Sequence, residues 1–516
     1  MLLHRIFQEE GFVMTMFKLA GTTAVAALIS GQAAWADISP EEVWQKWKDA
    51  SASYGQTLTT TSEVRDGDTL TISGANFAST QEGAEASVTV EEIAFTDKGD
   101  GTVAVTMSDT VQMAVKGENP DGGEPTDVLV DITAPDLTIV ASGTAAETGY
   151  AVTAPELKFA LASVDGVAAD AIGANVAVTV KGINGTYAAS GTDSRTIDSD
   201  IKADGMDIAI SVKEPETTNI FALNSTTGAI TSVSSTTLPK DLDLTDMVKA
   251  LAAGFQTKAN VTFGKTDFTF DAAEGTDTTK GSGSIAGAGM DVQMNATNLN
   301  YLTTTQGLSI AVSGSTIPFP EVKVAFAESA FGLAMPISKS DTPADFSLLT
   351  KLVDLTISDD IWGMIDPTAN LPRDPVTIIL DTKGTATLAI DIMDTAAMEA
   401  AGETPPGELN SFDLKDLTLR ALGAEVNGTG ALTFDNTDKV TFQGMPKPTG
   451  TINLNASGIN GLIDKLIAMG MIPEDQLMGA RMMLGMFAKP GESADTLTST
   501  LEFKDGGFFA NGMQIQ

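Results

Sequence analysis

Apolar and polar residues alternate through most of this chain. Period-two runs include Val88 and Val90; Val103, Val105 and Met107; Val128, Val130 and Ile132; Val176, Val178 and Val180; and Met206, Ile208, Ile210 and Val212. Successive residues of a strand point to opposite faces, so each run predicts a strand with one apolar side. Thr and Ser fill many alternate positions, which makes the other side wet. Turn dipeptides separate the runs at Asp66-Gly67, Asp100-Gly101, Asp121-Gly122, Asp165-Gly166, Asn184-Gly185 and Asp204-Gly205. Strands joined by tight turns pair antiparallel, and the pattern predicts a long meander. It resumes with Phe268 and Phe270, Met290, Val292 and Met294, Leu308, Ile310 and Val312, and Val322, Val324 and Phe326. Further runs follow at Val376, Ile378 and Leu380, at Leu388, Ile390 and Ile392, at Leu417 and Leu419, and at Leu432 and Phe434. Gly281 to Gly289 reads as a flexible turn between strands.

Four stretches break the alternation. Ser39, Pro40, Glu41 and Glu42 form a helix start, and Val43, Trp44, Trp47, Ser51 and Tyr54 then share one helical face, expected to dock on the end of a sheet. Asp241 to Phe255 predicts a second helix, with Leu244, Met247, Val248 and Leu251 on one side. Phe346 to Met364 reads as helical or mixed, carrying Leu348, Leu349, Leu352 and Val353. The fourth stretch lies near the end. After the alternating Thr451 to Asn455, residues Ile459, Leu462, Ile463, Leu466 and Ile467 recur at helical spacing up to Gly470 and Pro473. Leu477, Ala480, Leu484 and Phe487 make a second stripe, stopped by Pro490-Gly491. Leu497, Leu501 and Phe503 then alternate into the Asp505-Gly506 turn. The unit predicted is strand, helical hairpin, strand. Such a hairpin needs a sheet to cover, and the fold expected is mainly β: an extended or curved antiparallel sheet or groove capped by a few helices.

The first 36 residues read as a secretory signal. Lys18 supplies the positive end, Leu19 to Ile29 the apolar stretch, and Ala34-Trp35-Ala36 the cleavage site, so the mature chain is expected to begin at Asp37. Glu9 and Glu10 put acid where a signal wants base, which points to Met14 or Met16 as the start of translation. The rest divides into 37–240 and 241–516, or forms one continuous domain. No apolar run long enough for a membrane span follows the signal.

Losing the signal removes His4, the single histidine, and the chain has no cysteine. Imidazole and thiol chemistry go with them: no disulfides, no zinc site of the nitrogen and sulfur kind, no histidine-based triad. The formal net charge of −38 repels nucleic acid and anionic headgroups. Asp193, Asp198, Asp200 and Asp204 cluster without the spacing of a calcium loop and read as solvated acids. Gly281 to Gly287 does not fit a nucleophile elbow, and no pair of acids stands out as catalytic, so no enzyme and no cofactor is expected. Arg373, between Pro372 and Pro375, is a fixed cation expected to have a carboxylate partner. Methionine crowds the hairpin at Met469, Met471, Met478, Met482, Met483 and Met486, where it reads first as core filling and second as an adaptable apolar lining.

The segments Asp359-Asp360-Ile361-Trp362, Ile365-Asp366-Pro367 and Leu371-Pro372-Arg373-Asp374-Pro375, followed by the Ile459 to Lys489 hairpin and Leu501 to Gly506, resemble an uncharacterised family of exported Gram-negative proteins, a domain of unknown function. The likeness extends to the opening Pro40-Glu41-Glu42-Val43-Trp44 and supplies no catalytic residue. More distantly, the strand, hairpin, strand ending resembles AsmA-type envelope proteins. That resemblance implies a long β-structure with an apolar groove, linked to outer-membrane assembly and lipid movement, although this chain keeps no membrane anchor after the signal. Two functional classes follow as expectations. One is a periplasmic envelope protein that binds or transfers an apolar ligand such as lipid, with Leu462, Leu466, Met469, Leu477, Leu484, Phe487 and Trp362 as candidate contacts. The other is a structural or interaction protein of the envelope, with protein partners and no ligand. Continuity of an accessible apolar face separates the two.

Overall fold

The computed structural model describes residues 37–516 apart from 54, 82–83, 118–125, 145–146, 192–193, 215–216 and 241–245, and describes no side chain at 53, 81, 474–477, 480 or 483. The expected signal segment, Tyr54, the Asp121-Gly122 turn, Asp193 and Leu244 lie outside the described residues. The chain is mainly antiparallel β and divides into two compact units. The first comprises Met1–Lys240, Ala259–Ser284 and Val312–Pro320; the second comprises Asp241–Lys258, Ile285–Ala311 and Glu321–Gln516.

The first unit opens with helix α1 (Pro40–Ser53) and continues as a meander of long strands. Strand β1 (Thr69–Gln81) pairs with β2 (Ala84–Asp97) along its whole length. On the other edge of β2 lie Val103–Met107 and Thr110–Gly117, two halves of one line of chain broken at Ser108 and Asp109. The halves Thr126–Thr133 and Thr138–Gly143 follow in the same way and pair with β3 (Glu147–Val164). Next comes β4 (Ala174–Ser190), bonded to β3 on one edge and to Ser194–Ala203 and Gly205–Lys213 on the other.

Two expected turns are therefore no turns. Asn184 faces Thr153 and Lys202, and Gly185 faces Val152 and Ile201, so partners on both edges hold the chain straight through a dipeptide that elsewhere reverses it. Asp204 is a mid-strand break. Its N–H donates to the Lys181 carbonyl at 2.8 Å beside Gly182, whose positive φ and missing Cβ make room for the Asp204 carboxylate. Asp165-Gly166 and Asp505-Gly506 do reverse the chain, with positive φ at both residues as a tight hairpin requires.

Burial is near complete on one face of the opening strands, whereas Val178, Ile208, Leu223 and Phe270 on the later strands of this unit are half-buried. Leu70, Phe95, Val105, Ile139 and Val152 form a row across five strands, each 6 % exposed or less. Helix α1 covers that row at one point, with the Trp44 and Trp47 rings 5.7 and 5.3 Å from Phe95. Its start is a capping box. The Ser39 N–H donates to the Glu42 carboxylate at 2.8 Å, and the Glu42 N–H donates back to the Ser39 hydroxyl at 3.3 Å.

The second unit holds α2 (Met247–Ala252), α3 (Asp359–Ile365), α4 (Thr395–Ala401), α5 (Ile459–Ala468) and α6 (Glu474–Phe487). Its C-terminal strands are β5 (Val322–Pro336), β6 (Ala344–Ile357), β7 (Val376–Leu388), β8 (Gly407–Ala421), β9 (Ala424–Asp435), β10 (Lys447–Ser457), β11 (Thr496–Lys504) and β12 (Gly507–Ala510). Consecutive members pair antiparallel. The stretch expected to be helical from Phe346 is strand β6, because neighbours on both edges complete its hydrogen bonds, and only Asp359–Ile365 coils. Ile390 and Ile392 leave the sheet to form the approach to α4. Gly281 to Gly289 is strand on both sides of a break at Ala286, not a flexible turn.

Candidate functional site: a one-sided apolar face

Register places most of the apolar residues of β6 to β11 on one side, with Leu349, opposite Asp381, and Ile379, opposite Thr418, on the other. Leu352, Ile378, Leu419, Val426, Ala456 and Leu497 stand opposite one another in a row. Two residues along each strand come Thr350, Leu380, Leu417, Gly428, Leu454 and Ser499, then Leu348, Thr382, Leu414, Gly430, Ile452 and Leu501. A fourth row holds Phe346, Gly384, Phe412, Leu432, Gly450 and Phe503. An extra residue in β8 between Leu414 and Leu417 keeps both leucines on this side, since Leu414 pairs with Thr382 and Leu417 with Leu380. The opposite side carries Thr377, Asp381 and Lys383, Thr418 and Arg420, Asn427 and Thr429, Asn453 and Asn455, and Thr498 and Thr500. Six strands about 4.8 Å apart make the apolar side roughly 24 Å wide, and three two-residue steps make it about 20 Å long.

Glycines shape the surface. A Cβ on Gly384 would lie 2.7 Å from the Phe346 ring, so the ring lies over the glycine; Leu454 and Leu417 lean over Gly428 in the same way. Cover is nevertheless incomplete. Leu414 is buried, but Ile378 is 40 % and Leu419 42 % exposed, and the other large apolar residues of the four rows are half-buried.

The helical hairpin meets these strands at two points. Helix α5 packs against β9, and the carbonyl of Phe487, at the end of α6, accepts from the hydroxyl of Ser499 in the second row and from the Asn511 amide at 2.9 Å. Its entry is fixed from a distance. Gly458, before α5, offers no side chain, and Asp495 from the far end of the hairpin caps the helix, accepting from the backbone N–H of Asn460 at 3.1 Å and of Gly461 at 2.9 Å. Those donors hold the Asp495 carboxyl below its ordinary range.

The candidate contacts separate. Leu462, Leu466, Met469, Leu484 and Phe487 are half-buried on the hairpin, and the side chain of Leu477 lies outside the described residues. Trp362 is buried in α3, and its carbonyl accepts from the Asp366 N–H at 2.7 Å. Asp366 is itself fully buried and locks the proline-rich loop: its carboxylate accepts from the Leu371 N–H at 2.6 Å and the Thr368 hydroxyl at 3.3 Å, which depresses its pKa. Arg373 pairs with Asp359 at 2.5 Å. Four of the six hairpin methionines depart from the core-filling expectation, since Met471, Met478, Met482 and Met486 are exposed, while Met469 is half-buried and the side chain of Met483 lies outside the described residues. Spacing within the hairpin could not reveal this, nor could it reveal Asp495 as a cap; both depend on what the sheet brings alongside.

Among the described residues, no group of three or more His, Cys, Asp or Glu is placed to hold a metal ion, and no helix is long and apolar enough to cross a membrane. No curated protein and no solved structure matches the chain. A family model does match, over residues 200–515, a span that takes in the proline-rich loop, the apolar face and the hairpin but not the opening helix. The chain belongs to that family, described as an uncharacterized protein conserved in bacteria (DUF2125).

Proposed function

We propose that this is an exported protein of the bacterial envelope that holds a lipid acyl chain against the apolar side of its second unit. The carrying observation is the partition of β6 to β11 into a Thr- and Asn-rich side and a leucine-rich side that stays half-exposed. Exposed apolar area of this extent is a cost in water that a bound chain removes at about 25 cal/mol per Å². The opening strands of the first unit sharpen the point, because their row from Leu70 to Val152 is packed to 6 % exposure or less. The signal-like start supports export, and the envelope is where lipid must travel outside a bilayer. The role is binding or transfer and not catalysis.

Protein purified without harsh detergent is expected to carry phospholipid detectable by mass spectrometry. Leu417→Glu and Leu454→Glu, in the second row, should lower the amount several-fold, and Leu466→Glu should do so from the hairpin side. Lipid-free wild-type protein would leave the structural or protein-docking role in its place.

A further inference from the structure

We infer that helix α6 is a membrane-docking element, seating its outward methionines among the lipids of a bilayer surface. Met478, Met482 and Met486 follow one another at four-residue spacing and form one stripe, about 12 Å long at 1.5 Å per residue. They are 79, 65 and 41 % exposed, and Met471 at the turn before α6 is 56 % exposed. Singly exposed apolar residues are ordinary; four on one hairpin are a patch. The hairpin is also an excursion that the sheet does not need, since β10 and β11 pair directly from Gly450↔Phe503 to Ser457↔Thr496.

Charge selects the occupant. The chain carries 68 acids against 30 bases, yet within Ile459–Lys489 Asp464, Glu474 and Asp475 are balanced by Lys465, Arg481 and Lys489. This neutral stretch can approach a zwitterionic headgroup layer where the rest of the molecule is repelled by anionic ones. Unbranched thioether side chains suit a fluid partner, which presents no fixed shape to match. Leu466 and Phe487 of the same hairpin are half-buried, the Phe487 carbonyl bonds Ser499 of the apolar face, and a route for a lipid from bilayer to face rests on the function proposed above. Docking itself does not.

The test is flotation of the purified full chain with phosphatidylcholine and phosphatidylethanolamine vesicles. Wild-type protein should rise with them, and the double variant Met478→Asp, Met482→Asp should cut the bound fraction by about tenfold. Met445→Asp, an exposed methionine away from the hairpin, should leave it unchanged. The melting temperature should hold in both variants, because the replaced side chains are already in water. Wild-type protein that fails to float overturns the inference, as does a double variant that floats like wild type. So does a vesicle-free dimer that the double variant abolishes, which would make a second copy the occupant. Loss of co-purified lipid in Leu417→Glu with vesicle binding intact would separate docking from lipid carriage.

Discussion

Two buried or half-buried carboxylates hold the irregular parts of the second unit in place. Asp366 turns the proline-rich loop by accepting from Leu371 and Thr368, and Asp495 caps α5 from 34 and 35 residues away. Both pKa values are depressed, so each contributes stability above the unfolded carboxyl pKa of about 3.9 and loses it as pH falls through the lower folded value. Asp495→Asn is expected to keep part of the cap and Asp495→Ala to cost about 1 kcal/mol, flattening the acid limb of hairpin stability read by hydrogen exchange. An alanine variant with an unchanged acid limb would show that the cap carries no weight. Tyr150 makes the opposite case in the first unit: burial pushes its phenol up to about 12. Its contribution is present below the unfolded value of about 10 and is lost as pH rises toward 12, so Tyr150→Phe should remove that alkaline loss. Methionines sort by the same logic of access. Dilute peroxide should oxidise Met478 and Met482 well before Met113, which is 3 % exposed, as peptide mass spectrometry would read.

Elements were legible in proportion to how local their causes are. Helix α1 announces itself through Ser39, Pro40 and Glu42, and its capping box forms as that spelling implies. Removing Trp44, 1 % exposed with its ring tilted against Phe95, should cost about 3–5 kcal/mol on mutation to alanine, measured by denaturant unfolding. The Asp165-Gly166 turn was equally plain. Asn184-Gly185 was not, because a dipeptide suited to reversal is overruled when strands on both edges offer hydrogen-bond partners. Leu348 and Leu352 fit a helix and a strand equally, being four apart, and the pairing of Leu352 with Ile378 decides for the strand. For the candidate site, the hairpin was visible in its periodicity. The sheet face it joins was visible only as scattered alternations, since register across six strands is a non-local property.

At the scale of the whole molecule, the opening strands of the first unit and the C-terminal strands of the second use one pattern to different ends. Alternation in the first unit buries a row from Leu70 to Val152 almost completely, whereas alternation in the second leaves the row from Leu352 to Leu497 half in water. The same substitution should therefore have unequal costs. Val105→Glu would bury a carboxylate among Phe95 and Ile139 with no partner, and is expected to cost more than about 4 kcal/mol or to prevent folding. Leu419→Glu places the carboxylate where the side chain is already 42 % exposed, so about 1 kcal/mol or less is expected. If lipid occupies that face, Leu419→Glu should lose it while the protein remains folded, which no change in the first unit's row can do. Denaturant midpoints and lipid content measured on the same two variants test both halves. A Leu419→Glu protein as unstable as Val105→Glu would mean that the face is closed in solution, and would remove the surface on which the proposed function stands.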